Sequence, residues 1–358
     1  MALMPKKISA PQLAYQPRDP KKYRPKIGLI ACGGITEWHL RAYKAAGYDV
    51  VALCDLIKSR AEKRRREFYP TSDVYTDYRH VLDRDDIEVV DIATHPPERL
   101  PLIHDALLAK KHVLSQKPFV LDLAAGQQLV DLARKQKVKL AVNQNGRWAP
   151  HFSYIRQAIA AGLLGEIQSA HLSVHWDHNW IKGKKFDEVR HVILYDFAIH
   201  WFDILSCFMG DKIAERVYAS FTHAPRQKAK QALLGQALIE YDHAQATLAF
   251  DGNTRFGIQD RTYVCGTKAT ITAYSTAGSP MRVQLYTPKG VASPKLVGRW
   301  FPDGFHGTMG ELLCAIEENR EPSNSAENNL RSLALCFAAI ESAETHKAQV
   351  PGQVVRLR

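Results

Sequence analysis

The sequence predicts an α/β protein: a doubly wound parallel sheet near the N-terminus, then a second α/β domain on a mainly antiparallel sheet. Three observations predict it. From about residue 26, short apolar runs alternate with helical stretches, the pattern of successive βα units. After residue 146 the apolar runs follow one another closely, with little helix between them, as antiparallel strands do. The 358 residues, 46% of them hydrophobic, are enough for two buried cores. The expected division is an extension over 1–25, a first domain over 26–146 and a second over 147–358.

The first 26 residues, "MALMPKKISAPQLAYQPRDPKKYRPK", hold seven Lys/Arg against one Asp, so a large part of the formal +11 charge lies there. They lack the basic-then-apolar order of a signal peptide and read as a flexible extension or an arm that packs on another subunit. "KIGLIA", "DVVALCD", "EVVDIAT", "KHVLSQ" and "KLAVNQN" read as strands, several apolar on both faces as buried parallel strands are. "GITEWHLRAYKAAG", "ERLPLIHDALLAK" and "AAGQQLVDLARKQ" read as the helices between them. Beyond 146 come a helix near 150–162, a strand at "IQSAHLSVHW" and a helix over 194–205. The strands "RVYASFTH", "QALIEY", "QATLAFD", "RTYVCG" and "ATITAYS" follow, and helices near 304–318 and 326–346 close the chain.

Other classes are disfavoured. No apolar run reaches the ~18 residues of a membrane span. A second basic cluster, "KSRAEKRRREF" at 58–68, reads with the tail as solvated surface rather than a nucleic-acid site. The six cysteines show no CxxC spacing and fit free thiols of a reducing, cytoplasmic compartment. His171, His175 and His178 lie on or just after one strand, and a polar strand face explains them better than a metal site, so no metal is expected.

The first strand runs through "ACGGIT", residues 31–36, into a helix. A tight strand-to-helix turn of this kind presents free N–H groups and the helix dipole to a pyrophosphate. Gly33 and Gly34 allow close backbone approach, and Ile35 completes the cofactor-binding turn. Ala31 stands where the G-x-G-x-x-G/A fingerprint has its first glycine, and Thr36 at its third position. Asp55, 22 residues past Gly33 at the end of the second strand, is placed to hold ribose hydroxyls and to repel a 2′-phosphate. NAD is favoured; Lys58 and Arg60 keep NADP open.

Candidates for proton transfer are Lys117 in "SQKPF", at the end of the fifth parallel strand, and polar residues in the apolar run "LYDFAIHWFDIL". On a regular helix Asp196, His200 and Asp203 would share an arc of about 60°, beside an apolar face of Phe197, Trp201, Ile204 and Phe208. No GxSxG, HExxH or P-loop lysine is present.

"KIGLIACGGITEWHLRAYKAAGYDVVALCD", "KKHVLSQKP", "DFAIHWFD" and "FHGTMGELLCAIEENREPSNSAENNLRSLAL" together resemble the glucose–fructose oxidoreductase/inositol dehydrogenase/rhizopine catabolism (Gfo/Idh/MocA) family. The resemblance runs from about residue 25 to the end. It implies a Rossmann domain and an α/β domain with an open, largely antiparallel sheet used for substrate binding and for assembly into homodimers or homotetramers. It also implies NAD(P)-dependent oxidation of a sugar, sugar-acid or cyclitol hydroxyl. By resemblance Lys117, Asp196 and His200 are the catalytic residues. Thr94 and Asn145 lie beside the cofactor with Gln116. Arg147, Trp148, Trp176, His178 and Asn179 face the substrate, and Trp180 and His306 lie near it. His200 would be the general base, Asp196 its orienting or substrate-binding partner, and Lys117 the cation on the reacting oxygen. Asp203 reads as structural.

The departures are Gln116 where the family has glutamate, His95 in place of the proline after Thr94, the turn "PPER" and Ala31. Two further readings remain: a tightly bound cofactor recycled within a sugar–sugar oxidoreductase, hydrolase or isomerase cycle, and a non-catalytic dinucleotide-binding regulator.

Overall fold

The computed structural model describes residues 6–276 and 281–357. Two compact units emerge. One comprises Gln16–Ala149 and Gly298–Leu330; the other comprises the chain up to Tyr15, Pro150–Val297, and Arg331 onward.

A short strand β1 (Lys7–Ile8) precedes the first βα unit, β2 (Lys26–Ile30) and α1 (Thr36–Ala46). Then follow β3 (Asp49–Cys54), α2 (Lys58–Phe68), β4 (Asp73–Tyr75), α3 (Arg79–Leu82), β5 (Ile87–Ile92) and α4 (Pro96–Leu108). β6 (His112–Gln116), α5 (Leu123–Gln136) and β7 (Leu140–Asn143) complete a six-stranded, all-parallel sheet of order β4-β3-β2-β5-β6-β7. The strand order reverses at β2, so ligands are expected at the carboxyl ends of the central strands. Local chemistry sets the helix ends. Gly47 closes α1 in the left-handed conformation, Pro96 and Pro97 open α4, and Asp122 caps α5 by accepting the N–H groups of Ala124 and Ala125.

The second unit contains α6 (Pro150–Ala160), β8 (Ile167–His175), a π-helical turn (Ile193–Phe197) and α7 (Ile199–Met209). β9 (Ala214–Thr222), β10 (Leu234–Tyr241), β11 (Ala244–Asp251), β12 (Gln259–Gly266), β13 (Thr270–Thr276), β14 (Arg282–Thr287) and β15 (Gly290–Ala292) follow. They build a nine-stranded mixed sheet, β1-β15-β14-β13-β12-β8-β11-β10-β9, parallel only at β1/β15 and β8/β11. The last helices are α8 (Trp300–Glu317) and α9 (Ala326–Thr345).

Two expectations are corrected. The N-terminal extension, expected to be flexible or to reach another subunit, is seated on its own chain over residues 6–25. β1 pairs with β15, and the Glu317 carboxylate accepts the N–H groups of Lys21, Lys22 and Tyr23 at 2.5–2.8 Å. The expected boundary at 147 also gives way, because α8 belongs with the nucleotide unit. Its Phe305, Met309, Leu312 and Leu313 share one core with Ile27, Leu29, Leu40 and Tyr43. The basic cluster is solvated, except that Arg64 of α2 is buried. None of the six cysteines is paired, and no described helix is long and apolar enough to cross a membrane.

Candidate active site

The turn after β2 has the conformation that a dinucleotide loop needs. Ala31 takes φ +72°, the left-handed value for which the fingerprint uses glycine. A Cβ added to Gly33 or Gly34 would meet no atom within 4 Å, so open space lies over both. Their carbonyls turn inward. That of Gly33 accepts the hydroxyl of Thr36 at 2.6 Å, and the Arg64 guanidinium donates to Gly33 and Gly34 at 3.2 and 3.3 Å. Among the described residues the N–H groups of Gly33, Gly34 and Ile35 find no acceptor, which leaves them for an anion at the start of α1. Asp55 accepts the N–H of Cys32 and the N–H of Ile57, both at 2.8 Å. These residues fit a dinucleotide, and they would hold its pyrophosphate and adenosine ribose.

At the carboxyl ends of β5, β6 and β7 lie Thr94, Gln116, Lys117 and Asn145. Arg99, 1% exposed, ties the ends of β5 and β6 together by donating to the carbonyls of Thr94, Gln116 and Pro118. Lys117 is half-buried and its peptide N–H donates to Gln116 Oε1 at 2.8 Å. The amide nitrogen of Gln116 points inward to His39 at 3.1 Å. The Thr94 hydroxyl is buried and makes no hydrogen bond among the described residues. The same holds for both amide atoms of the buried Gln144. Asn145 accepts the indole N–H of Trp300 at 2.7 Å.

Two residues expected at the substrate are engaged within the chain. Arg147 is buried, with its guanidinium taken by the Ser323 carbonyl and the Asn328 side chain. Trp148 packs on Gly307, where even a methyl group would collide with the indole. His306, too, is committed elsewhere, to Asp19 at 2.8 Å.

In the second unit Asp196 falls in the π-helical turn and His200 in the first turn of α7. The regular-helix stripe predicted for Asp196, His200 and Asp203 is therefore interrupted by an extra residue per turn. Asp203 is buried against Ser332 Oγ at 3.2 Å, a structural role. The His178 ring stacks on Phe197 at 4.2 Å, one residue after Asp196. Its Nδ1 accepts from the Trp180 indole at 3.3 Å, and burial pushes its pKa down to about 4. A neutral ring with Nε2–H as donor results. Trp176 meets Trp201, the neighbour of His200, edge-on at 5.8 Å. Asn179 is engaged within the chain: its amide holds Asp177, Asn253 and the N–H groups of Lys228 and Ala229.

The structure thus gathers Gly33, Gly34, Ile35 and Asp55 around one turn, and Thr94, Gln116 and Lys117 around Arg99. It sets Trp176, His178, Asp196 and His200 on neighbouring segments of the other unit. Sequence reasoning missed His39, Arg64, Arg99 and Gln144. The signal for His39 was its place three residues after Thr36, on the face of α1 that meets the sheet; nothing in the sequence marks a buried arginine.

A parallel doubly wound sheet with an anion-binding turn, an acidic residue bonded to that turn and a lysine at the strand ends defines a dinucleotide-binding oxidoreductase fold. The comparisons agree. Residues 25–144 match the model of an oxidoreductase family with an NAD-binding Rossmann fold, Gfo/Idh/MocA, and residues 152–272 match a Gfo/Idh/MocA C-terminal domain. The chain belongs to the Gfo/Idh/MocA family. It is 26% identical over 347 residues to a D-apiose dehydrogenase of Paraburkholderia graminis, covering 89% of this chain and 87% of that one. An inositol 2-dehydrogenase of Rhizobium meliloti is 25% identical over 340 residues, covering 88% and 96%. The fold is shared with an Agrobacterium radiobacter oxidoreductase solved with NAD+, L-tartaric acid and magnesium, with TM-score 0.81, 22% identity and coverage of 92% and 99%.

Proposed function

We propose that this protein is an NAD-dependent dehydrogenase that oxidises a secondary hydroxyl of a sugar, sugar acid or cyclitol. The observation that carries the reading is the Lys117 turn: a lysine anchored at the carboxyl end of β6, in the same unit as a turn built for a pyrophosphate. The names of the apiose and inositol dehydrogenases above support the substrate class.

Bound NAD supplies the hydride acceptor. His200 is the general base for the substrate hydroxyl, and Lys117 is the cation that stabilises negative charge on the reacting oxygen. Asp196 orients His200 or a neighbouring hydroxyl, and the His178 Nε2–H and the Trp176 face contact the ring of the polyol. NAD is preferred to NADP because the buried Asp55 would place a carboxylate against a 2′-phosphate. Free thiols fit a cytoplasmic location. A homodimer or homotetramer would use the open face of the nine-stranded sheet, where Tyr218, Leu238, Tyr263, Tyr274 and Tyr286 stand exposed on alternating positions.

Purified protein with NAD or NADP and a panel of cyclitols, aldoses and sugar acids tests this by reduced-nicotinamide absorbance. The reading expects a signal with one substrate class, larger with NAD and lost in Lys117→Ala. Protein that binds NAD yet reduces it with no member of the panel contradicts it.

A further inference from the structure

We infer that His39 and Gln116 are positioning residues for Lys117, and that this chain has matched a glutamine at 116 to a neutral imidazole behind it. The inference rests on the proposed role of Lys117 and concerns how its turn is held.

The hydrogen-bond roles follow from one fixed donor. The peptide N–H of Lys117 lies 2.8 Å from the Gln116 side chain, so the atom facing it must be the amide oxygen. The other end of that amide is then NH2, and it lies 3.1 Å from His39 Nε2. A second amide nitrogen, that of Asn143, meets the same ring atom at 3.2 Å. Nε2 must accept from both, so it carries no proton. On the far side His39 Nδ1 lies 2.6 Å from Asp91 Oδ2, which can only accept, so Nδ1 carries the proton.

The chain of donors is complete: Lys117 N–H to Gln116, Gln116 to His39, His39 to Asp91. His39 and Asp91 are both 0% exposed, so water does not substitute for the bond between them. Tyr43 also donates to Asp91 at 2.7 Å, and the Phe305 ring lies 4.7 Å from the imidazole. The groups facing the ring are therefore Tyr43 of α1, Asp91 of β5, Gln116 of β6, Asn143 of β7 and Phe305 of α8, and Asp91 is the acid among them.

A glutamate at 116 keeps the bond to the Lys117 N–H but turns its second oxygen toward the lone pair of Nε2. Two acceptors then face each other in a buried site, a conflict relieved when the ring takes a second proton. Gln116→Glu therefore makes the placement of Lys117 depend on pH, whereas the native pair holds it without a proton.

The experiment uses the full chain with saturating NAD and compares the parent, Gln116→Leu, Gln116→Glu and His39→Leu. Hydrogen exchange at the Lys117 amide reads the anchor without turnover. It is expected to quicken at least about 10-fold in Gln116→Leu and His39→Leu, with the amides of β5 unchanged. Steady-state kinetics reads the consequence: kcat falls about 10- to 100-fold in Gln116→Leu while the KM for NAD stays within about threefold. The decisive sign is the ratio of kcat for Gln116→Glu to kcat for the parent, which should rise several-fold as pH falls from about 8.5 to about 6. A ratio flat with pH, or Lys117 exchange unchanged in Gln116→Leu, overturns the inference. Should the leucine variants fail to fold, the isosteric glutamate variant still decides. Should the parent oxidise no polyol, the dehydrogenase reading fails, and amide exchange in Gln116→Glu across the same pH range decides the anchor by itself.

Discussion

The Asp55 carboxylate accepts the peptide N–H of Cys32 at 2.8 Å, so the acid expected to hold ribose also closes the turn that precedes Gly33. Its second oxygen accepts the N–H of Ile57, which fixes the carboxylate in place before any cofactor arrives. Asp55→Ala is expected to raise the KM for NAD about 10-fold or more, at the upper end of a charge-assisted pair of bonds. The KM for NADP should rise less, because the same change removes a repulsion. Equal losses with both cofactors would show that Asp55 serves the turn alone.

Ala31 occupies φ +72° with a Cβ that this conformation penalises. Ala31→Gly removes that strain at some cost in unfolded-chain entropy, leaving a net gain of about 0.5–1 kcal/mol. A urea midpoint that moves upward, with unchanged slope, is the expected observation.

Burial raises the Asp260 carboxyl to a pKa of about 7, and its Oδ1 makes no hydrogen bond among the described residues. The folded form keeps a proton that the unfolded chain loses near pH 4, so this residue's penalty grows as pH rises from about 4 to about 7 and is constant above. Asp260→Asn should stabilise the protein by about 2–4 kcal/mol at pH 8 and hardly at all at pH 4, by the same linkage. Thermal unfolding at the two pH values reads the difference.

His178 has the opposite sense. Its pKa is pushed down to about 4 by burial, so its neutral ring favours the folded state above the unfolded value near 6.5. That stability is lost as pH falls from about 6.5 through about 4. His178→Asn should therefore flatten the fall in unfolding temperature between about pH 7 and pH 4.5; an unaltered slope would mean that the ring is not buried in solution.

The alternation of βα units, the turn after β2 and the places of Asp55 and Lys117 at strand ends were legible because each is a local pattern with a local cause. The N-terminal arm was not: its lysines and prolines look unstructured until Glu317, almost 300 residues away, collects three of its N–H groups. Arg147 and Arg99 carry the same warning. An arginine reads as surface or as a substrate contact, yet both are buried here and serve backbone carbonyls. The stripe of Asp196, His200 and Asp203 failed because periodicity assumes a regular helix, and the π-helical turn breaks the count between the first two. Gln116 looked like a lost charge; His39 gives it a different purpose, which no spacing in the sequence reveals.

The measurement that bears most directly on the central claim is the single-turnover rate of NAD reduction by the best polyol, in the parent and in His200→Ala. The account predicts a fall of about 10²- to 10⁴-fold in the variant with NAD affinity unchanged, as expected for loss of a general base. An equal rate in both would remove His200 from the chemistry and contradict the account.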